Sequence, residues 1–245
     1  MPIMVPLKCL IAGNSHGIYC VPASSEHRPA ARAVLRGEVW EADTVAFLIE
    51  NAGSGDIIHA GTYFGDFLPA LAKAVVPEAR IWAFEPSLEN FRCARITLKL
   101  NDIRNVVLTQ AALGECRGSA LLQTGEIGGR AAGGGSAIAK EREPGFTYEE
   151  VQTAAIDEIV PADRAVSIIH LDVEFQEQQA LTGALDTIAR CRPLLVLETL
   201  PADAAWFARE ILSLGYEEIA KLDKNVAFRA TQSEVQRTSS ISMPL

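Results

Sequence analysis

The sequence predicts an α/β fold built on a mostly parallel, seven-stranded sheet that finishes in an antiparallel pair. Two observations lead to this prediction. From residue 41 onward, short apolar segments alternate with segments of helical periodicity, a pattern that produces parallel strands joined by right-handed crossovers. The strand segments are continuously apolar, which suits strands buried on both faces. Ligands of such sheets bind beyond the carboxyl ends of the strands, so we look for functional residues there.

Each element has its own justification. A helix is expected over 41–51, where Val45, Leu48 and Ile49 fall on one face. Ser87 suits the N-cap of a helix over 88–100. The five parallel strands are expected in the segments DIIHAG (56–61), RIWAFEP (80–86), NVVLTQAAL (105–113), VSIIHLDVE (166–174) and RPLLVLETL (192–200). Further helices are expected over 65–76, 176–191 and 201–214, and the antiparallel pair over 216–222 and 225–230.

Outside this pattern we expect less regular structure. Residues 1–37 are interpreted as an irregular N-terminal cap, 38–230 as one domain and 231–245 as a frayed tail. SALLQT (119–124) is expected to be an edge strand, and 147–160 to lead back into the sheet. The glycine-rich segment 125–137 is expected to be a mobile loop, either a lid or a passive linker.

Composition narrows the function. The net charge of −9 argues against a nucleic-acid partner, because phosphate binding needs a basic surface. No apolar run is long enough for a membrane span, so no membrane partner is expected. The five cysteines contain no CxxC pair, which favours a reducing, cytoplasmic location. The four histidines lack metal-ligand spacing, so no metal site is expected, and a carboxylate-bound Mg²⁺ is left open as an alternative. The oligomeric state is left open, a homo-oligomer included.

The segment HAGTYFGDF (59–67) is the candidate ligand loop. In a dinucleotide fingerprint starting at Gly61, the second and third glycines would fall at Tyr63 and Asp66. A bulky side chain and a carboxylate both oppose a diphosphate. S-adenosylmethionine has no phosphate, and its sulfonium and ribose diol suit carboxylates. Glu85, at the end of the next strand, is placed to accept hydrogen bonds from a ribose, although NAD would use the same acid.

Several motifs occur in the order seen in one family: HAGTYFGDF, AFEPSLENF, AALGECRGSA, IHLDVEFQEQQALTGA and RPLLVLETL. Over about residues 35–230 the chain resembles FkbM-type S-adenosylmethionine-dependent methyltransferases. The resemblance implies a Rossmann-like class I methyltransferase fold and methylation of hydroxyl groups on sugars or natural products. Three positions depart from the family pattern: His59 replaces an aspartate, Thr62 an alanine, and Phe175 a glycine.

These arguments give the expected site. The residues expected to bind S-adenosylmethionine are His59, Gly61, Thr62, Tyr63, Gly65, Asp66, Glu85, Pro86, Ser87, Ala111, Ala112 and Asp172. His170, Asp172 and Glu174 alternate along one strand and therefore face the same way. They are the expected catalytic residues, with Asp172 the first choice of base for a small hydroxylated acceptor; His59 is a further alternative base. The departures at 59 and 175 leave a second reading, a catalytically impaired binding or assembly protein with this fold.

Overall fold

The computed structural model describes residues 6–231. Its strands, in chain order, are β1 (Cys9–Gly13), β2 (Ile18–Pro22), β3 (Asp56–Ala60), β4 (Ile81–Phe84), β5 (Val106–Thr109), β6 (Ala112–Leu113), β7 (Gly118–Gly125), β8 (Ala137–Ala139), β9 (Thr147–Ala154), β10 (Val166–Leu171), β11 (Leu194–Leu197), β12 (Tyr216–Leu222) and β13 (Asn225–Ala230). Its helices are α1 (Pro29–Leu35), α2 (Ala42–Glu50), α3 (Leu68–Ala74), α4 (Leu88–Leu100), α5 (Ile156–Ile159), α6 (Glu177–Thr182), α7 (Leu185–Cys191) and α8 (Ala204–Glu210).

The main sheet contains seven strands in the order β12-β13-β11-β10-β3-β4-β5. The five strands from β11 to β5 are mutually parallel, whereas β13 pairs antiparallel with both β11 and β12. The predicted α/β class, with a mainly parallel sheet and a terminal antiparallel pair, is therefore confirmed.

Alternate residues of the central strands serve two cores. Ile57 packs in one core with Leu48 of α2 and Leu71 of α3. Ile58, on the opposite face of β3, belongs to the other core with Leu181 of α6 and Ile188 of α7. All six are fully buried, and each such side chain contributes about 1.5–3 kcal/mol on leaving water. This two-sided burial explains why the strands read as continuous apolar runs.

One buried carboxylate fixes the amino-terminal end of β3. Asp56 accepts hydrogen bonds from the Arg80 backbone N–H (2.8 Å) and from Trp82 Nε1 (2.7 Å), and it forms an ion pair with Arg164. Burial alone would raise the pKa of Asp56, but the bonds from Arg164, Trp82 and Arg80 outweigh it and hold the pKa below its ordinary value. Asp56 thus ties β3 to β4 and to the turn before β10.

A second sheet, of order β6-β9-β7-β8, was not predicted. The segment 105–113 divides between the two sheets, because β5 ends at Thr109 and β6 begins at Ala112. The prediction that 119–124 forms an edge strand is wrong, since β7 lies between β9 and β8. The expectation that 147–160 returns to the main sheet is also wrong for β9, which pairs with β7. The segment 125–137 contains a 3₁₀ turn over 133–135 and leads into β8.

The N-terminal segment also differs from its prediction. Residues 1–5 lie outside the described residues, but the rest of the expected irregular cap contains the β1–β2 hairpin and α1. The hairpin forms because β2 buries Tyr19, Cys20 and Val21 against α4. Pro29 begins α1, where its missing N–H leaves no bond unmade. The expected frayed tail, apart from residue 231, lies outside the described residues.

Helix boundaries were predicted unevenly. The helices over 41–51 and 88–100 are confirmed, although Ser87 makes no side-chain capping bond. The helix expected over 65–76 is shorter, and that over 176–191 divides into α6 and α7 at Gly183. A Cβ at Gly183 would lie 2.1 Å from the carbonyl oxygen of Gly114, the residue after β6, so the backbone of the second sheet leaves no space for a side chain there. The last helix begins at Ala204, capped by Asp203, and not at 201.

Within 6–231, none of the helices combines the length and the apolar character that crossing a lipid bilayer requires.

Candidate active site

Two adjoining cavities lie at the carboxyl ends of the central strands. The first, of about 40 Å³, is a narrow and mainly apolar slot between the two sheets; we call it the slot. The second, of about 290 Å³, is lined by charged side chains and is called the polar cavity. Gly61, Gly134 and Asp172 line both, so the two cavities meet at the ends of β3 and β10. This is the edge of the sheet at which the sequence predicts a ligand.

The chain approaches itself most closely at Gly61. The Asp172 backbone N–H donates to the Ala60 carbonyl (3.1 Å), which extends the β3–β10 pairing by one step. A Cβ at Gly61 would lie 1.8 Å from the Asp172 carbonyl oxygen, and its φ of +81° suits glycine. Gly61 is therefore needed for strand packing, whatever ligand binds beside it.

The loop after Gly61 is a tight turn. The Gly65 N–H donates to the Thr62 carbonyl (2.8 Å), and Tyr63 is held at a φ of +51°. Thr62 is fully buried, and the backbone of Gly65 lies against Thr97 of α4. Of Thr62, Tyr63 and Gly65, only Tyr63 lines a cavity. Thr62 and Gly65 pack inside the fold and support the loop.

Glu85 joins this loop to the next strand. Its carboxylate accepts from the backbone N–H groups of Tyr63 (2.8 Å) and Ser87 (2.9 Å), and more weakly from Asn90 Nδ2 (3.4 Å). Burial raises the pKa of Glu85 to about 8, although the bonds from Ser87, Tyr63 and Asn90 act in the opposite direction. Glu85 lines the slot; its Oε1 accepts from both Ser87 and Asn90, so Oε2 keeps the lone pair that is free for one more donor.

Most of the remaining slot residues are small or apolar, whereas Asp172 and Gln176 add polar side chains. Pro86, Ala111 and Ala112 lie where the sequence predicts cofactor contacts. Leu122 and Ile138, from the second sheet, form the opposite wall. Ser87 does not line the slot; its backbone serves Glu85 instead.

The N-terminal segment and the glycine-rich segment close over Tyr63. Its hydroxyl lies 2.6 Å from the Ser25 hydroxyl, and a Cβ at Gly133 would lie 2.7 Å from the same phenol oxygen. Phe64 turns away and packs edge-to-face on Tyr19. Tyr63 is therefore a wall between the cap and the polar cavity, whereas Phe64 is a core residue.

A histidine pair lies beneath the polar cavity. His59 and His170 are paired in register on β3 and β10, with their rings stacked 5.0 Å apart and their Nδ1 atoms 2.8 Å apart. Burial lowers the pKa of both; the pKa of His170 falls to about 4, and that of His59 is further lowered by its neighbour. Both rings are neutral near pH 7.

The neighbours of the pair fix its protons. Asn225 donates through Nδ2 to Glu41 (2.9 Å), so its Oδ1 faces His170 Nε2 at 3.3 Å and can only accept. His170 therefore carries its proton on Nε2 and accepts at Nδ1 from His59. His59 is left with a bare Nε2, which is buried and has no hydrogen-bond partner among residues 6–231. An unmade bond of this kind costs about 1–3 kcal/mol, and a ligand donor would supply it.

Three carboxylates cluster at the ends of β10 and β11. Asp172, Glu174 and Glu198 each bring a potential ligand atom within 4.8 Å of the others. Burial raises the pKa of Asp172 well above its ordinary value, and a hydrogen bond and the charge of Glu198 raise it further. Burial and Glu198 also raise the pKa of Glu174. Like charges this close favour a shared proton. Lys224 lies 3.8 Å from Glu198.

The structure thus brings most of the predicted residues together. His59, Asp66, Asp172, Glu174 and His170 all line the polar cavity. Burial, followed by the charge of Glu41, raises the pKa of Asp66 to about 7. Sequence reasoning missed several lining residues from the cap, α2 and the terminal hairpin: Arg28, Trp40, Glu41 and Lys224. No motif marks them, because tertiary packing alone brings these segments to the site.

The fold and the cavities define a class of protein, an α/β domain that binds a small molecule at the carboxyl ends of its strands. Residues 59–225 match the methyltransferase FkbM domain. This match spans more than half of the chain, which therefore belongs to the FkbM methyltransferase family and has S-adenosylmethionine as its cofactor. The resemblance seen in the motifs is confirmed. No curated protein matches the sequence.

Solved structures resemble the chain at low identity. Trm5b from Pyrococcus abyssi is 12% identical with a TM-score of 0.50, over 92% of this chain and 56% of that one, which shows a shared fold. The methyltransferase FkbM from Methylobacillus flagellatus KT is 18% identical with a TM-score of 0.49, over 72% of this chain. The present chain covers only 43% of that protein's length. A putative O-methyltransferase from Klebsiella pneumoniae is 13% identical with a TM-score of 0.44, over 77% and 79% of the two chains.

The contact at Gly61 predicts a large effect of a single methyl group. Gly61→Ala is expected to destabilise the protein by about 3 kcal/mol or more, because the Cβ overlaps a backbone oxygen that cannot move freely. Gly128→Ala is the matched control: it has a similar φ of +91° but nothing within 4 Å, so it should cost only about 1 kcal/mol. Urea unfolding measures both. Equal losses would contradict the close-approach explanation.

The histidine pair predicts a defined tautomer at each ring. In ¹⁵N NMR of labelled imidazoles near pH 7, His59 should be protonated at Nδ1 and His170 at Nε2. Asn225→Leu removes the acceptor that fixes this order, so the His170 preference should weaken. A proton on Nε2 of His59 in the unaltered protein would disprove the assignment.

Glu85 predicts a pH dependence of stability. Its pKa is about 8 when folded and near the ordinary 4.5 when unfolded, so between these values the folded protein holds the extra proton. Its contribution to the free energy of unfolding therefore falls as pH rises from about 4.5 to about 8. Glu85→Gln should make the decline shallower over that window in urea titrations, whereas exposed Glu217→Gln should not. Identical slopes for all three proteins would refute the prediction.

Proposed function

We propose that this protein transfers a methyl group from S-adenosylmethionine to a hydroxyl group of a saccharide or another small molecule. The observation that carries the proposal is the pairing of a mainly apolar slot, which contains the buried Glu85, with an acid-lined polar cavity at the shared residues Gly61 and Asp172. An adenosine group suits the first, and a cationic amino-acid end with an acceptor suits the second.

The slot fits the nucleoside part. Glu85 is held in place by two backbone donors, and the lone pair left on its Oε2 suits a ribose hydroxyl. Ala111 and Ala112 have small side chains that suit contact with a flat base, and Leu122 and Ile138 add apolar surface to the same slot. No side chain here offers the positive charge that a diphosphate requires.

The polar cavity fits the charged end. His59 Nε2 is a buried acceptor without a donor, and Asp66 is a nearby carboxyl. An ammonium group supplies what both lack. This explains how the family aspartate at position 59 can be replaced: a neutral imidazole still accepts a hydrogen bond.

Bound S-adenosylmethionine supplies a methyl group already activated by a sulfonium. The chain then has to orient the acceptor, exclude water and take up the hydroxyl proton. Asp172 remains our first choice of base because it lies where the two cavities meet, with Glu174 beside it. His170 has both ring nitrogens engaged, so we assign it the role of holding His59. None of these roles requires a metal.

A binding or assembly role without catalysis is the second candidate. The raised pKa of Asp172 favours it, because burial and the neighbouring Glu198 disfavour the ionised form that a base needs. The two candidates differ in whether methyl transfer occurs.

Calorimetric titration with S-adenosylhomocysteine tests the proposal. The unaltered protein should bind it, and Glu85→Ala should weaken binding by about tenfold or more through loss of a buried hydrogen-bond acceptor. Glu217→Ala, an exposed change on β12, should bind normally. Absence of heat from the unaltered protein at high ligand concentration would overturn the proposed function. Binding without any methyl mass gain on hydroxylated acceptors would favour the non-catalytic role.

A further inference from the structure

A strained turn stands beside both cavities. The Gln176 N–H donates to the Val173 carbonyl (3.3 Å), and the two central residues, Glu174 and Phe175, have φ values of +49° and +71°. Turns with two positive φ values normally place asparagine and glycine at these positions. For a bulky residue such as phenylalanine this conformation is a genuine outlier. Such strain persists where the surroundings require it and is concentrated at functional sites.

Phe175 is also the most conspicuous apolar side chain on the surface. It is 73% exposed. All nine phenylalanines fall within residues 6–231, and the other eight are buried or partly buried. Glycine, which the FkbM pattern has here, would remove both the backbone strain and the exposed ring. A residue that is unfavourable on two counts needs an explanation other than folding.

The position of the turn supplies one. Val173 and Gln176 line the slot, and Glu174 lines the polar cavity. Phe175 lies between them in sequence, is exposed and lines neither cavity. The carboxylates of Asp172, Glu174 and Glu198 line the polar cavity and lie close to one another. The turn thus carries an exposed aromatic ring one residue from an acid of this cluster.

We propose that Phe175 is a specificity-determining platform that stacks against the apolar face of a ring-shaped, polyhydroxylated acceptor. A pyranose ring has this two-sided character, with C–H groups on its face and hydroxyls at its edge. The edge hydroxyls donate to the carboxylates while the face covers the phenyl ring. The inference rests on the proposed function and specifies its acceptor as a saccharide. Phe175 itself takes no part in the chemistry.

The test uses the full chain and methyl glycosides of glucose, galactose, mannose and rhamnose as probes. Glycoside affinity is measured by NMR titration, both with and without saturating S-adenosylhomocysteine. At least one glycoside should bind the unaltered protein, and Phe175→Gly should weaken it about tenfold. Phe175→Tyr keeps the ring and should bind as the unaltered protein does. Affinity for S-adenosylhomocysteine should be the same in all three.

The same variant tests the strain. Phe175→Gly should raise the melting temperature by about 2–4 °C, because glycine adopts a positive φ freely. Asp102→Gly is the matched control. Asp102 is exposed at a φ of +53° away from the cavities, so its replacement should also stabilise the protein but leave glycoside binding unchanged.

The outcomes separate the two proposals. Failure of S-adenosylhomocysteine to bind overturns the methyltransferase function, whatever the glycosides do. The platform proposal is overturned if no glycoside binds the unaltered protein, either with or without S-adenosylhomocysteine. It is also overturned if the glycosides bind Phe175→Gly as tightly as the unaltered protein. An unchanged or lower melting temperature for Phe175→Gly would remove the strain argument and with it the reason to assign Phe175 a role.

Discussion

The contact between the ends of β3 and β10 determines the rest of the site. Parallel pairing in register places His59 beside His170 and leads the Asp172 carbonyl into the space over Gly61. This contact requires glycine at position 61. The turn that carries Tyr63 begins there, and the two cavities meet there. The loop is therefore defined first by how two strands pack, and its suitability for a ligand is a consequence of that packing.

Charge is the second organising feature. Among the described residues, the cations Arg28 and Lys224 line the polar cavity. Five carboxyl residues line it as well: Glu41, Asp66, Asp172, Glu174 and Glu198. Burial raises the pKa of the first four and so favours their protonated forms over their ionised forms. A cationic ligand would favour release of those protons. Cofactor binding and the ionisation of the base are thus expected to be coupled, which relates the two candidate functions to a single property of the cavity.

The sequence predicted what depends on local pattern. The order of strands and helices, the loop at Gly61 and Glu85 at the next strand end all follow from periodicity and spacing. The second sheet was missed because β6 has only two residues and β7 reads like any short strand. The roles of Arg28, Glu41 and Lys224 could not be predicted, since residues far apart in the chain meet only after folding. Neither could the tautomer of His59, which depends on Asn225 and Glu41.

Asp56 and His59 lie in the same strand but have different roles: Asp56 stabilises the fold, and His59 lines the polar cavity. The network of Asp56, Arg164 and Trp82 holds the amino-terminal end of β3, well away from the cavities. The scaffold therefore does not rely on the residues that face the ligand. Replacements at 59 and 175 can alter which molecules are accepted while the framework persists. A lineage built this way is free to diversify its chemistry at one rim of the sheet, provided that the opposite rim is conserved.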